Sequence, residues 1–183
     1  MILAAAKSAL KELGIPKENT VIVGGIWCSS KVPHYIDGYA AETLHGRTLP
    51  FATWVKLANP DLTVIAMWWD GDGYGIWLSH FLHTCRRNIN LTYIVFDNEN
   101  YGLTTWQSSP TTPVGAKTKY TPDGNTLSPL NPLALATAWW CQFTRETNSA
   151  SLNEMKEIMK EAIQFEWFSH INVKSACPSW KRW

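Results

Sequence analysis

The sequence predicts an α/β fold, a three-layer sandwich in which helices cover both faces of a mostly parallel sheet. Three runs rich in β-branched and other apolar residues are typical of strands buried on both faces: TVIVGGI (20–26), LTVIAMWW (62–69) and LTYIVFDNEN (91–100). Segments with helical spacing of apolar residues alternate with strand-like runs, and this alternation favours a parallel sheet. The 183 residues are expected to form a single domain, 1–183, large enough to bury a core.

The helices of the first half are marked by apolar spacing and by residues that end helices. Residues 2–13 form an amphipathic pattern that Gly14 and Pro16 terminate. GIWLSHFLHTCRR (75–87) has a helical period and two arginines in its last turn, and with the strands on either side it completes a βαβ unit. Residues 102–131 are rich in Thr, Ser, Pro, Gly and Asn, which predicts a long loop that is functional or covers a site.

The rest of the chain predicts two helices and a last strand. LNPLALATAWW (130–140) has a proline in its first turn, where the missing N–H is tolerated. SLNEMKEIMKEAIQF (151–165) opens with Ser151 and Glu154 at the spacing of a capping box. WFSHINVKSACP (167–178) is the last strand.

Composition excludes several classes of protein. The formal charge is only +1, so the sequence gives no electrostatic basis for binding nucleic acid or an anionic membrane. No apolar run approaches the ~20 residues of a membrane span, and the N-terminus lacks the features of a signal peptide, so a cytoplasmic protein is expected. The four cysteines form no CxxC pair, which disfavours a local zinc site and favours buried thiols.

Acidic and glycine residues follow two strands of the βαβ unit. Asp70 ends one strand, and Asp97–Asn100 ends the next, so both lie at the rim where parallel sheets bind ligands. Carboxylate, amide and carbonyl oxygens are ligands that Mg²⁺ takes. Gly71 and Gly73 allow backbone N–H groups to approach a diphosphate. The alternative, that Asp70 and Asp72 only cap the following helix, loses weight because the two motifs occur together.

The motifs resemble those of the beta subunit of 2-oxoacid:ferredoxin oxidoreductases, which bind thiamine diphosphate. The likeness runs from about residue 2 to residue 178 and rests on GGIWCSS, HGRTLPFATWVKLANPDLTVIAM, DGDGYGI, HFLHTCRRNINLTYIVFDNENYGLT and QSSPTTPVGAKTKYTPDGN. The last of these loops is more similar to the 2-oxoglutarate and broad 2-oxoacid branch than to the pyruvate branch. The resemblance implies a thiamine diphosphate-binding fold.

The resemblance also implies three sets of binding residues. Mg²⁺ is expected to be held by the side chains of Asp70 and Asn98 and by the carbonyl of Asn100. The residues expected to contact or border thiamine diphosphate are Ile26, Trp27, Cys28, Ser29, His45, Gly71, Asp72, Gly102 and Leu103. Cys28 and Cys177 are expected to be two of the four ligands of a [4Fe–4S] cluster, whereas Cys85 and Cys141 remain buried thiols. His34, His80, His83 and His170 have no role in the pattern.

The implied activity is oxidative decarboxylation of a 2-oxoacid, with 2-oxoglutarate favoured, to an acyl-CoA. Electrons would pass through the cluster to ferredoxin, and coenzyme A would collect the acyl group. No residue is assigned as catalytic, because the family's activating glutamate belongs to the partner alpha subunit. The family's other two cluster cysteines precede the first helix and its members continue beyond the Cys177 motif, so the sequence is expected to be truncated at both ends.

Tryptophan is present far more often than usual, at 11 of 183 residues. One hypothesis is that UGA encodes glycine in the source and has been translated as tryptophan, since one residue type replaces glycine repeatedly. The alternative is genuine tryptophan in a repurposed pocket. Trp180 and Trp183 are unassigned. The positions at which the family pattern has glycine are Trp27, Trp54, Trp68, Trp69, Trp77, Trp106, Trp140 and Trp167, with Trp139 a further candidate.

Two other functions remain open at this point. A non-redox thiamine-dependent decarboxylase on the same fold would need no cluster, but the positions of Cys28 and Cys177 argue against it. A non-catalytic assembly subunit would keep the fold without the cofactor, and genuine tryptophans would favour it.

Overall fold

A computed structural model describes residues 1–177 and 179, with the backbone alone for residues 27–30. The α-helices are α1 (Ile2–Glu12), α2 (Thr48–Ala58), α3 (Leu78–Arg87), α4 (Pro132–Ala138) and α5 (Leu152–Gln164). The strands are β1 (Thr20–Gly24), β2 (Tyr39–Glu42), β3 (Thr63–Trp69), β4 (Thr92–Asp97), β5 (Asn100–Tyr101), β6 (Gln107–Ser108), β7 (Phe143–Asn148) and β8 (Ser169–Lys174). Within these described residues, no helix is long and apolar enough to cross a membrane.

The main sheet has six strands in the described part of the chain, in the order β2-β1-β3-β4-β8-β7. All its neighbouring strands are parallel. β5 and β6 form a separate antiparallel pair beyond the end of β4. Because the strands are parallel, the carboxyl ends of β1, β3, β4 and β8 lie side by side at one edge of the sheet.

Two apolar cores lie on opposite faces of this sheet. In β3, Ile65 and Met67 belong to the core that contains residues of α1 and α5. The alternate residues Val64, Ala66 and Trp68 belong to the core that contains residues of α2, α3 and α4. Strand residues alternate between the two faces because the side-chain period is two. The predicted three-layer α/β sandwich is therefore confirmed.

The predicted elements are present, with differences at their ends. The helix predicted to begin at residue 75 begins at Leu78, because Gly71–Ile76 forms a π-helical turn. Helix α5 begins next to Ser151, but the Ser151 side chain makes no capping hydrogen bond, so the predicted capping box is wrong in its bonding. β2, α2 and β7 were not predicted, and β6 lies within the segment predicted to be a long loop.

A buried polar network ties the turn after β3 to β7 and β8. The Tyr74 hydroxyl lies 2.7 Å from His170 Nε2 and donates to Asn172 Oδ1 at 3.0 Å. Nδ1 of His170 lies 2.8 Å from the Thr144 hydroxyl. Full burial lowers the pKa of His170 to about 3 because the charged imidazolium is not solvated there.

Acidification is expected to destabilise the fold through His170. His170 takes up a proton near pH 6.5 in the unfolded chain but only near pH 3 in the folded chain. The stability that comes from keeping His170 neutral is therefore complete above pH 6.5 and is lost as the pH falls. Between pH 7 and pH 5 the His170 contribution to the free energy of unfolding should fall by about 2 kcal/mol. Urea denaturation should show this fall to be absent from His170→Asn but retained in a control, His83→Asn, at an exposed position. An unchanged pH dependence in His170→Asn would contradict the assignment.

Candidate active site

The segments that follow β1, β3, β4 and β8 converge on a cavity of about 360 Å³. Half-buried Trp69 and exposed Leu103 give it apolar walls. Nine of the residues expected to bind cofactors line the cavity: Ile26, His45, Gly71, Asp72, Asn98, Asn100, Gly102, Leu103 and Cys177.

The other residues expected to bind cofactors either lie outside the cavity wall or have side chains that the structure does not describe. Asp70 is fully buried and is not part of the cavity wall, although it hydrogen-bonds to a residue that is. The side chains of Trp27, Cys28 and Ser29 lie outside the described residues, and so the expected approach of Cys28 to Cys177 remains a prediction.

Asp70 sits at the end of β3 with both carboxylate oxygens hydrogen-bonded. Oδ1 accepts the backbone N–H of Asn98 at 3.2 Å, and Oδ2 accepts the Thr111 hydroxyl at 2.9 Å. Burial, and then the nearby carboxylate of Asp97, raise the pKa of Asp70 to about 7. The salt bridges of the described residues do not include Asp70, so this site favours a cation that would compensate the buried charge.

Asp97, at the end of β4, has a cationic partner. Its Oδ2 accepts from Lys174 Nζ at 2.6 Å and from Asn172 Nδ2 at 3.0 Å, both residues being on the neighbouring strand β8. Its Oδ1 lies 2.7 Å from the Thr111 hydroxyl, which is also the donor to Asp70. A hydroxyl has one proton to donate, so Thr111 bonds one carboxylate at a time unless the other is protonated.

The turn after β4 presents two asparagines to the cavity. Glu99 takes a left-handed backbone conformation (φ 57°), and the Thr112 hydroxyl donates to its carbonyl at 2.6 Å. Asn98 Oδ1 accepts the N–H of Asn100 at 3.2 Å, and Asn100 Nδ2 donates to the Asn98 carbonyl at 2.9 Å. These bonds fix both residues at the cavity wall.

Asp72 is held at the cavity by two groups from the segment after β2. Its Oδ1 accepts the N–H of Gly46 at 3.0 Å and lies 2.9 Å from Nδ1 of His45. Burial raises the pKa of Asp72 to about 6, and the neighbouring His45 opposes this rise. The contact between Asp72 and His45 could not be predicted from local patterns, since the two residues are far apart along the chain.

Gly71 is required by the close approach of Tyr101. The Tyr101 hydroxyl donates to the Gly71 carbonyl at 2.8 Å, and a Cβ at Gly71 would overlap the Tyr101 ring. Tyr101 also lines the cavity. A side chain at position 71 would therefore displace the ring and alter the wall between the two strand ends.

Two residues that line the cavity each have a buried side-chain oxygen without a hydrogen-bond partner among the described residues: Asp72 Oδ2 and Asn100 Oδ1. A buried polar atom without a partner costs roughly 1–3 kcal/mol, so such atoms favour a bound polar group. Together with buried Asp70, they fit a site for a polar cofactor and its cation.

The described cysteines fall into two environments. Cys177 lines the cavity and is partly exposed. Cys85 and Cys141 are buried in the core on the side of α2, α3 and α4. The sequence interpretation of Cys85 and Cys141 as buried thiols is confirmed.

A family model described as "Thiamine pyrophosphate enzyme, C-terminal TPP binding domain" matches residues 19–173. The chain thus belongs to the thiamine pyrophosphate enzymes, whose cofactor is the thiamine diphosphate expected from the sequence. Curated beta subunits of 2-oxoacid:ferredoxin oxidoreductases and KorB subunits match nearly the whole chain, so within that class it belongs to the beta subunits of these oxidoreductases.

Curated relatives and a solved structure match nearly the whole chain. The 2-oxoacid:ferredoxin oxidoreductase subunit beta of Saccharolobus solfataricus is 44% identical over 98% of this chain and 59% of its own length. The 2-oxoglutarate synthase subunit KorB of Archaeoglobus fulgidus is 40% identical over 100% of this chain and 68% of its own.

The solved structure is the 2-oxoglutarate:ferredoxin oxidoreductase from Magnetococcus marinus with 2-oxoglutarate, coenzyme A and succinyl-CoA bound. It superposes with a TM-score of 0.96 at 36% identity, over 99% of this chain and 62% of the solved chain. The present chain thus spans only part of the length of these proteins.

Lys174 is expected to stabilise the site by compensating Asp97. Lys174→Met should lower the free energy of unfolding by about 2–3 kcal/mol, because it leaves a buried carboxylate without its cation. Lys7→Met, at an exposed position of α1, should have little effect on urea denaturation. Adding Asp97→Asn to Lys174→Met should recover part of the loss, and a double variant no more stable than Lys174→Met would contradict this role.

Proposed function

We propose that this chain is the thiamine diphosphate-binding part of a 2-oxoacid:ferredoxin oxidoreductase beta subunit. The reaction is oxidative decarboxylation of a 2-oxoacid to an acyl-CoA, with electrons leaving through a [4Fe–4S] cluster to ferredoxin. The observation that supports it most strongly is the hydrogen bond from Asn98 to buried Asp70, which joins two strand ends beside the cavity.

Mg²⁺ would be held by Asp70, Asn98 and Asn100. Asp70 and Asn98 offer side-chain oxygens, and Asn100 offers its backbone carbonyl. Hard oxygen ligands of this kind suit Mg²⁺, which keeps other positions for phosphate oxygens or water. The buried charge of Asp70, compensated by no described salt bridge, is the feature that favours a cation here.

Thiamine diphosphate would lie in the cavity with its diphosphate against the turn after β3 and the segment after β5. The residues proposed to line the diphosphate are Gly71, Asp72, Gly102 and Leu103, all of which border the cavity. His45 and Ile26–Ser29 would border the rest of the cofactor. When bound, the cofactor supplies the electron sink for cleaving the bond beside the keto group.

The chain's own residues would orient the cofactor and limit water around it. Asp72 is fixed by Gly46 and His45, and its second oxygen is buried without a described partner. Trp69 and Ile26 add apolar surface that excludes water, and exclusion of water strengthens electrostatic interactions within a site.

The proposed substrate is 2-oxoglutarate, with coenzyme A as the acyl acceptor. The names of the Archaeoglobus relative and of the Magnetococcus structure, with the ligands bound in the latter, support this choice. The proposed protein partners are the alpha subunit, which would supply the activating glutamate, and ferredoxin. No residue of this chain is proposed as an acid or base in the reaction.

Asp70→Asn is expected to separate cofactor binding from stability. Removing one of two neighbouring buried carboxylates relieves their repulsion, so the apo fold should be as stable as the parent or more so. Mg²⁺-dependent binding of thiamine diphosphate, measured by calorimetry, should fall at least about tenfold, a loss of 1.4 kcal/mol or more. Asp123→Ala, at an exposed position, is the control and should bind normally. Unchanged affinity in Asp70→Asn would contradict the metal assignment.

Cys177 is expected to carry the cluster, as thiolates do in iron–sulfur proteins. In the full-length natural subunit prepared without oxygen, Cys177→Ser should lose most of the bound iron and the visible absorption of the cluster. Cys141→Ser, in the apolar core, should keep both. Equal iron in Cys177→Ser and the parent would reject the ligand assignment, and a parent without iron would favour a non-redox decarboxylase on the same fold.

A further inference from the structure

The backbone at Trp140 has the conformation that helix ends reserve for glycine. Trp140 follows α4 by two residues and has φ 65°. Its N–H donates to the Thr137 carbonyl at 3.1 Å, and the N–H of Cys141 donates to the Ala136 carbonyl at 2.9 Å. This pair of bonds is the Schellman motif, whose left-handed residue is usually glycine because a Cβ is unfavourable there.

Trp106 shows the same conformation in an unrelated part of the fold. Its φ is 71°, its N–H donates to the Tyr101 carbonyl at 3.1 Å, and its carbonyl accepts from Lys119 N at 3.3 Å. The surrounding turn fixes this backbone from both sides. Of the five non-glycine residues with positive φ in the described chain, two are tryptophan, although large residues in this region are outliers.

Trp68 and Trp69 pose a different problem at the end of β3. Both indole N–H groups are buried, and neither has an acceptor among the described residues. Genuine buried tryptophans usually find a partner for this group. Trp69 also lines the cofactor cavity, so its indole takes up space beside Gly71 and Asp72.

An opposing observation defines the alternative. The Trp68 and Trp77 rings occupy the positions that a Cβ would take at Gly25 and Gly46. Genuine tryptophans at positions 68 and 77 would need glycine at the positions they pack against, and Gly25 and Gly46 are present there. This packing does not explain the backbone at Trp106 and Trp140 or the buried N–H groups of the β3 pair.

We infer that positions 68, 69, 106 and 140 are glycine in the protein made by the source cell, each encoded by UGA that the cell reads as glycine. One decoding rule accounts for a single residue type at left-handed, buried and cavity-lining positions, whereas independent substitutions would introduce several residue types. The cofactor cavity of the natural protein is consequently wider at position 69. The inference rests on backbone and burial and is independent of the proposed function.

Mass spectrometry of the protein from source cells tests this directly. Tryptic cleavage gives the peptides 57–86, 88–117 and 120–145, which contain positions 68 and 69, position 106 and position 140, respectively. Each peptide should be lighter than its written sequence by the difference between tryptophan and glycine at those positions, and the gene should have UGA there. Tryptophan masses, or UGG codons, at positions 106 and 140 would overturn the inference.

A stability series tests the backbone argument separately. Trp106→Gly and Trp140→Gly should each raise the melting temperature by roughly 2–4 °C, because they relieve an unfavourable left-handed conformation. Trp54→Gly is the matched control: it lies exposed within α2, where glycine weakens a helix, and it should lower the melting temperature. A fall in melting temperature for Trp106→Gly and Trp140→Gly would contradict the backbone argument. If the protein with tryptophan at these positions is insoluble, the combined Trp106→Gly and Trp140→Gly substitutions should yield soluble protein. A variant that stays insoluble would contradict the backbone argument.

Discussion

The site depends on two buried carboxylates at the ends of neighbouring parallel strands. Asp70 and Asp97 repel each other, and the Thr111 hydroxyl lies within hydrogen-bonding distance of both. Of these two carboxylates, Lys174 compensates only Asp97, because it lies directly opposite on β8. The uncompensated charge is therefore concentrated at Asp70, which is the position proposed for a cation.

The strands that support this arrangement could be predicted because they are interior. β1, β3, β4 and β8 are mostly buried, and the first three are also mostly apolar, so such runs are recognisable in sequence. β2 and β7 lie at the two edges of the sheet, and many of their side chains are exposed or partly exposed. An edge strand lacks a continuous apolar run, so YAAE and FTRETN give little signal.

The candidate site was predictable where its residues follow strands directly, as Asp70 and Asn98 do. The residues that complete it come from distant segments: Thr111 from the long loop, Lys174 from the last strand and His45 from the segment after β2. Their roles depend on strand order and register, which local patterns do not contain. The loop's length did suggest a functional role, and its contacts with Asp70 and Glu99 agree with that.

The strand end proposed to bind the metal also carries the residue that fits the site least well. Asp70 requires the turn after β3 to stay compact, and Gly71 meets this need by admitting the Tyr101 ring. Trp69, one residue before Asp70, also lines the cavity, but its buried indole N–H has no acceptor among the described residues. Glycine at position 69 would remove this unpaired group and extend the cavity without changing Asp70, Asn98 or Asn100. The polar half of the site therefore does not depend on which residue occupies position 69, whereas the volume open to a cofactor does.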